Sequence, residues 1–591
     1  MSFISKLFNK EPINVEQDWK TSFGRDVSSI EYPDCSLHEL VYETVLKYPN
    51  YKALKYFGKE VTFKEFYTEI EDIAKSLKAI GVKKGDRITI CMPNMPEAIS
   101  FFYAVNMVGA IANMIHPLSS VNEMEFYLDV AKSKYVLTLD LLLQRMTQAS
   151  LKLDMEKIIL AQISNSMPIH IKVAYEAQNL LKNVIKGKPN NRIIYDKNKI
   201  INWDEFIELG EGYKKEYKVP GKGKDEAVVI YSGGTTGKPK GVQLSNLAIN
   251  AEALQAISQF ESAKPGAIAL SILPIFHGFG LAVNIHTIIV VGATCVLIPK
   301  FEPEEMSKLI KRNKPHFLIG VPTMFDALTN SNEISRTYLK TVTDVVCGGD
   351  TLKPELRAKV NKYLAQHGSK AQIRVGYGLS ESTAAVILTP SFYYQEDAIG
   401  LPFPNVEVKI TKPGTTKECK VNRNGEICVT GPTLMMGYLN EPEETAETLI
   451  THPDGKIWLH TGDLGYKNKE GIVFFQSRLK RMIITSGYNV YPQYLETIIG
   501  SHPAVFTSMV VGIDHPYKKQ VPVANIILND SYEPSEELKA DLKRYCAKSI
   551  AKYAMPVGFE FHKSFPKTLI GKVNFKKLEE DNFKKYGKGE Q

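Results

Sequence analysis

Eleven consecutive residues, Tyr231-Ser232-Gly233-Gly234-Thr235-Thr236-Gly237-Lys238-Pro239-Lys240-Gly241, combine four glycines, the hydroxyls of Ser232, Thr235 and Thr236, and two lysines. They follow the apolar β-type run Ala227-Val228-Val229-Ile230, so the segment reads as a loop leaving a strand. Glycine lets backbone N–H groups turn toward an anion, hydroxyls add donors and lysines add charge; together they make a polyphosphate cradle. The pattern is not a Walker loop, which needs Gly, four residues, then Gly-Lys-Ser/Thr. Ser232 stands where the first glycine would fall, and Pro239 follows Lys238. Pro239 also keeps the loop from running straight into a helix.

Further clusters follow downstream. Gly376-Tyr377-Gly378-Leu379-Ser380-Glu381-Ser382 comes after the β-type segment Ile373-Arg374-Val375. Tyr377 is a flat aromatic face and Glu381 a hard carboxylate oxygen, although alone the segment could be a tight turn. Leu459-His460-Thr461-Gly462-Asp463-Leu464 places a carboxylate at what would by itself be an ordinary turn. Leu273-Pro274-Ile275-Phe276-His277-Gly278-Phe279-Gly280 sets a histidine in an apolar stretch, where a packed core histidine is the commoner outcome. Cys347-Gly348-Gly349-Asp350-Thr351-Leu352, Ser486-Gly487-Tyr488-Asn489-Val490-Tyr491-Pro492 and Pro566-Lys567-Thr568-Leu569-Ile570-Gly571-Lys572 complete the set.

In this order the motifs resemble those of the acyl-adenylate-forming enzymes: acyl-CoA synthetases, luciferases and the adenylation domains of peptide synthetases. The resemblance covers nearly the whole chain. It implies an α/β fold with a large N-terminal domain of doubly wound sheets, a small β-barrel part and a small mobile C-terminal α/β domain. It implies ATP, Mg²⁺ and coenzyme A as cofactors. Ser232, Gly233, Gly234, Thr235, Thr236, Gly237, Lys238 and Lys240 would grip the β- and γ-phosphates, with Lys240 following the leaving pyrophosphate. Gly349, Asp350, Gly376, Tyr377, Gly378 and Ser380 would line the adenine site, Glu381 and Thr236 would hold Mg²⁺, and Asp463 and Arg478 would meet the ribose. His277 would lie near the reacting carboxylate, Lys572 would stabilise charge during adenylation, Lys480 would be the hinge, and Gly487 would line a pantetheine tunnel that a side chain would block. Two positions depart from the family: Ser380 stands where Thr is common, and Asp350 where a small apolar residue is common.

The chemistry implied is activation of a carboxylate, whose oxide leaving group is too basic for direct acylation. Coupling to AMP removes that obstacle, and the enzyme's task becomes positioning and charge neutralisation. Only nineteen residues follow Lys572 and no carrier module is evident, so free coenzyme A is the expected acceptor. A long- or medium-chain fatty acid is the first expectation for the acid. An aryl or other apolar acid, an acyl-AMP ligase loading a separate carrier protein, and a noncatalytic nucleotide- or lipid-binding relative remain as alternatives.

These residues need a scaffold. At 591 residues the chain exceeds the size at which a single core stops growing. The expected divisions are an extension at 1–20, a large domain at 21–479 and a small domain at 480–591. Phe63 to Ile80 reads as a helix, Arg87-Ile88-Thr89-Ile90-Cys91-Met92 as a buried strand and Pro96 to Val108 as a second helix closed by Gly109. Such alternation predicts a mostly parallel sheet. The stretch from about Leu141 to Glu226 reads as irregular. Beyond Lys480 come strands at Met482–Thr485, Val505–Gly512 and Val521–Leu528, and helices at Pro492–Ile499 and Glu536–Ser549.

Composition narrows the class. Hydrophobic content of 44% and charged content of 23% are ordinary for a globular protein. No apolar run is long enough to span a bilayer, and no secretory pattern is present. The seven cysteines form no CxxC pair, which points to a reducing cytoplasm rather than a disulfide scaffold or zinc site. The net charge of +8 is concentrated from Arg478 to the end, where 18 Lys and Arg face 12 Asp and Glu. That suits an anionic partner such as a nucleotide or coenzyme A. No nucleic-acid module is recognisable. Met1 to Lys10 carries Phe3, Ile4, Leu7 and Phe8 on one helical face, a candidate for peripheral membrane contact at the inner face of the membrane or for docking on its own protein. Oligomeric state is left open.

Overall fold

The computed structural model describes residues 21–22, 25–26, 30–175, 197–232, 239–330, 338–391, 395, 397–481, 483–485, 488–490, 492–567 and 573–587. The candidate interfacial helix at the start of the chain lies outside them. No helix among the described residues is long and apolar enough to cross a membrane.

The α/β architecture expected from strand–helix alternation is the one observed, and the chain divides into two compact units. The first comprises Met1–Val408, Val429–Leu459 and Glu470–Ile472; the second comprises Lys409–Cys428, His460–Lys469 and Val473–Gln591.

The first unit is built on two sheets. One orders its strands Gly437–Tyr438, Lys240–Ser245, Glu226–Ser232, Ile111–Met114, Arg87–Cys91, Tyr135–Leu139, Lys157–Ala161 and Ile200–Asn202. From Glu226–Ser232 to Ile200–Asn202 neighbouring strands are parallel. Ile111–Met114 and Tyr135–Leu139 are buried at every residue, as parallel strands covered on both faces must be. The covering helices follow from local signals. Phe63–Ala79 opens on a capping box: the Thr62 hydroxyl accepts from the Glu65 N–H, and the Glu65 carboxylate accepts from the Thr62 N–H. Pro96–Met107 starts with proline at its first turn and is buried throughout.

The other sheet orders Ala398–Pro402, Ala385–Leu388, Ile373–Gly378, Asp344–Cys347, Phe317–Gly320, Ile268–Ser271, Thr294–Leu297, Lys52–Tyr56 and Lys59–Thr62. Its middle strands are parallel and its edges turn antiparallel. Leu270, Leu318, Phe325, Val345, Leu364 and Ile373 form one buried cluster beneath it.

The stretch expected to be irregular is not so throughout. It contributes the helices Leu143–Ser150 and Trp203–Glu211 and the strands Lys157–Ala161 and Ile200–Asn202. Trp203 and Phe206 pack against Phe101 from the buried helix, a tertiary contact that no local pattern announces.

In the second unit Ile457–Lys467 and Val473–Arg478 run antiparallel, next to Gly425–Thr430 and Glu407–Thr411. A further sheet orders Tyr488–Val490, Ile483–Thr485, Lys519–Leu528 and Val505–His515, with Gly558–Phe561 parallel to Lys519–Leu528. Leu495 and Ile499 of helix Pro492–Gly500 and Leu542 and Cys546 of helix Glu536–Cys546 close its core.

Candidate active site

Ser232 and Lys240 are register partners across the antiparallel pair Glu226–Ser232 and Lys240–Ser245. The two ends of the phosphate loop are therefore pinned about 5 Å apart by the sheet. Gly233, Gly234, Thr235, Thr236, Gly237 and Lys238 lie outside the described residues. Below the loop, the buried Tyr231 hydroxyl donates to Asn113 Oδ1 at 2.8 Å. Burial drives its pKa up, so it stays a neutral donor.

Lys240 does not point into open space. Its ammonium pairs with the Glu444 carboxylate and sits 4.9 Å from the ring centroid of Tyr438. The Tyr438 hydroxyl donates to Glu381 Oε1 at 2.9 Å. Burial, followed by the Glu381 carboxylate, holds the phenol neutral. Lys240, Tyr438 and Glu381 thus form one connected group, although they are far apart in sequence. Tyr438 arrives because Gly437–Tyr438 pairs with the strand that Lys240 begins.

Glu381 sits in a 3₁₀ turn, Ser380–Ser382, at the end of strand Ile373–Gly378. That strand carries Gly376, Tyr377 and Gly378 and pairs with Ala385–Leu388. A Cβ on Gly378 would lie 1.5 Å from the Ala384 carbonyl oxygen, so only glycine lets the chain fold back there. The return passes through Thr383 at φ 70° and ψ −63°, with the Ala384 N–H donating to the Ser382 carbonyl at 2.8 Å. This is a γ-turn of the rare, strained hand, on a β-branched residue. The Thr383 hydroxyl donates to the Thr433 carbonyl at 2.7 Å and holds it. Buried Glu252 caps the next strand by accepting from the Ala385 N–H at 3.0 Å. Burial pushes its carboxyl well above the ordinary range.

Two more segments converge here. A Cβ on Gly278 would meet the Thr383 carbonyl oxygen at 1.9 Å, so the chain beside His277 lies against the Glu381 turn. His277 is exposed rather than packed in the core, and its Nδ1 accepts from the Phe279 N–H at 3.4 Å. Asn94 brackets this segment, donating to the carbonyls of Ser271 and Leu273 and accepting from the Ile275 N–H. A π-helix, Phe279–His286, follows, a wide turn that is frequent at functional sites. Gly348, Gly349 and Asp350 follow strand Asp344–Cys347, with Phe279 against Gly348. Gly349 takes φ 78°, and Asp350 uses its side chain to accept from the Thr351 N–H. Asp350 is therefore a turn residue, which accounts for a polar side chain at that position.

Asp463 and Arg478 belong to the second unit and are register partners on neighbouring strands. Arg478 Nε lies 3.3 Å from Asp463 Oδ1; the carboxylate is buried and the guanidinium half exposed. The turn before Asp463, with Gly462 at φ 68°, is braced by Glu426, which accepts from His460 Nδ1 at 3.0 Å and the Gly462 N–H at 3.1 Å. Burial alone would raise the Glu426 pKa; the imidazole and the backbone donors outweigh it and hold the carboxyl below its ordinary value. Lys480 lies in the 3₁₀ turn Leu479–Arg481. Next to it, Arg481 pairs with Glu496 and stacks 4.1 Å from the Phe575 ring. Gly487 and Lys572 lie outside the described residues. The ends of the Lys572 loop are joined by a β-bridge from Lys567 to Val573 and by the Asn574 N–H donating to the Pro566 carbonyl at 2.7 Å.

Sequence reasoning did not find Tyr438, Glu444, Asn94, Glu252 or Glu426. Only Asn94 carried a local signal, standing between Pro93 and Pro96 where a turn is expected.

The chain is similar to known proteins along nearly its whole length. The chain is 29% identical over 574 residues to a long-chain-fatty-acid–CoA ligase of Bacillus subtilis (strain 168), covering 96% of this chain and 98% of that relative. It is 28% identical over 574 residues to a probable 4-coumarate–CoA ligase 3 of Dictyostelium discoideum, covering 95% and 98%. Its fold matches the crystal structure of ATP-bound MatB from Rhodopseudomonas palustris with a TM-score of 0.79 at 21% identity, over 94% of this chain and all of that one. The family model described as AMP-binding enzyme matches residues 41–439, and that described as AMP-binding enzyme C-terminal domain matches residues 494–572. With the first model alone spanning well over half of its length, the chain belongs to the AMP-binding enzyme family.

Proposed function

We propose that this chain is an ATP-dependent acid–thiol ligase acting on a long- or medium-chain fatty acid. A carboxylate oxygen attacks the α-phosphorus of ATP, acyl-AMP forms and pyrophosphate leaves. The thiol of coenzyme A then attacks the acyl carbon, the thioester forms and AMP leaves. The observation that carries this reading is the Lys240–Tyr438–Glu381 group, which sets a cation at the base of the phosphate loop and a carboxylate beside it. A fatty acid is favoured because the Bacillus subtilis relative, aligned over nearly its full length, bears that name. The coumarate-named relative keeps aryl acids in the test.

Lys240 neutralises charge on the departing pyrophosphate, while Glu381 and Thr236 are the residues that would hold Mg²⁺. Bound there, the cation would offset phosphate charge. Tyr377 stacks on the adenine, and Asp463 accepts from the ribose hydroxyls beside Arg478. Lys572 is assigned to the acyl-transfer centre during adenylation, and Gly487 to the passage for the pantetheine arm. These roles rest on motif order and on the chemistry of each side chain.

The test is MgATP-dependent pyrophosphate release across saturated fatty acids, aryl acids and amino acids, with and without coenzyme A. A coenzyme A-stimulated signal that peaks with a fatty acid, with the acyl thioester confirmed by mass, is expected. A maximum on an aryl acid would overturn the substrate class. Release that only a carrier protein stimulates would overturn the acceptor.

A further inference from the structure

We propose that Glu444 is a positioning residue for Lys240, holding its ammonium against the Tyr438 ring so that it meets the ATP phosphates already oriented. This inference rests on the function proposed above and assigns to that site a side chain outside its motifs.

The pairing is set by the fold. Glu444 lies on the helix Pro442–Thr448, which is tied to strand Gly437–Tyr438 by the Tyr438 N–H donating to Thr445 Oγ1 at 2.8 Å. That strand is tied to the one Lys240 begins, through the register pair Val242 and Tyr438 and through the Leu439 N–H donating to the Gly241 carbonyl at 2.7 Å. The backbones of Glu444 and Lys240 are therefore fixed to each other before their side chains meet. Most exposed ion pairs are chance encounters of two long side chains, worth little. Here the lysine side chain is only 16% exposed and lies over a buried aromatic ring.

A free lysine stem samples many rotamers, and fixing it on ligand binding costs conformational entropy. A carboxylate and a ring face that fix it in advance remove part of that cost. An ammonium has three N–H donors. Glu444 engages the cation from one side and the ring face attracts it without taking a hydrogen bond, so donors remain for phosphate oxygens. Tyr438 extends the arrangement to Glu381, so the orientation of Lys240 is registered against the proposed metal carboxylate. Acidic residues in a helix's first turn also stabilise the helix by themselves. That role gives Glu444 no coupling to Lys240 or to ATP, and the experiment exploits this.

The experiment is a double-mutant cycle on the full-length protein. Wild type, Glu444→Ala, Lys240→Ala and the double variant are compared by MgATP titration calorimetry and by KM and kcat for pyrophosphate release; Glu444→Gln is added as the uncharged isostere. Glu444→Ala is expected to weaken MgATP binding and raise its KM about tenfold, with a smaller change in kcat. Glu444→Gln, which keeps an acceptor oxygen, should fall between wild type and alanine. In the Lys240→Ala background, removing Glu444 should change MgATP affinity less than about twofold. Tighter MgATP binding by Glu444→Ala would overturn the proposal, because the carboxylate would then be competing with phosphate. An undiminished effect in the Lys240→Ala background would also overturn it, leaving Glu444 as a helix stabiliser. A wild-type protein that fails to bind MgATP would instead strike at the ligase reading, so the two failures are distinguishable.

Discussion

The two units hold their chemistry-bearing residues in opposite ways. In the first, Lys240, His277, Asp350 and Glu381 sit on four segments far apart in sequence, and sheet pairing, the Tyr438 hydrogen bond and close backbone packing bring them together. In the second, Asp463 and Arg478 face each other across one antiparallel pair, and Glu426, accepting from His460 and the Gly462 N–H, braces the turn just before Asp463. The first arrangement exists only when the whole unit is folded and is as rigid as the backbone packing around it. The second is local, and one of its two side chains remains half exposed. A site assembled from distant segments is stiff but intolerant of backbone change, whereas a local pair can be altered with little damage elsewhere.

The contrast can be broken most sharply at Gly378. Gly378→Ala is expected to cost about 5 kcal/mol of stability, because its Cβ would lie inside the Ala384 carbonyl, and denaturant midpoints would show it. A loss under 1 kcal/mol would mean the Glu381 turn yields easily. Next comes Glu381→Gln, expected to lower kcat/KM for adenylation about 10³-fold, or about 4 kcal/mol, with the thermal midpoint nearly unchanged. In the second unit, Glu426→Gln should cost about 3 kcal/mol, because the amide keeps one acceptor oxygen and turns its NH2 toward the other of the two donors, His460 Nδ1 and the Gly462 N–H. Its sign with pH is fixed. The folded carboxyl titrates below its ordinary 4.5, so its contribution is complete above that value and fades as pH falls further. Urea melts of wild type and Glu426→Gln should therefore converge in acid; a constant gap would refute the role of the ionised Glu426 carboxylate. The smallest effect is expected at the exposed partner. Arg478→Ala should raise the KM for ATP about tenfold, or about 1.4 kcal/mol, with stability unchanged within 0.5 kcal/mol by the same melts.

What could be read in advance divides along the same line. The strand before the phosphate loop, the helices at Phe63 and Pro96 and the elements expected beyond Lys480 follow from local periodicity and capping, and the structure matches them to within a few residues while adding the strands Tyr488–Val490 and Gly558–Phe561 and the helix Phe575–Tyr586. The strands Lys157–Ala161 and Ile200–Asn202 did not register, because three to five residues of apolar chain carry no period and parallel pairing is decided by distant neighbours. Tyr438 and Glu444 stayed hidden for a related reason: only sheet register carries them to Lys240. His277 had two readings, core or pocket, and its exposure rules out the first. Asp350 looked anomalous among motif residues until its turn was seen.

Thr383 has a consequence beyond the site. A β-branched side chain at φ 70° stores about 1–3 kcal/mol that glycine would release, and its hydroxyl and carbonyl lie where three segments meet. A lineage selected for durability alone would drift to glycine there. Keeping threonine commits the chain to a less durable protein in exchange for a stiffer junction. Screening variants for melting temperature alone would be drawn to this residue, and would soften the junction that His277 and Glu381 share.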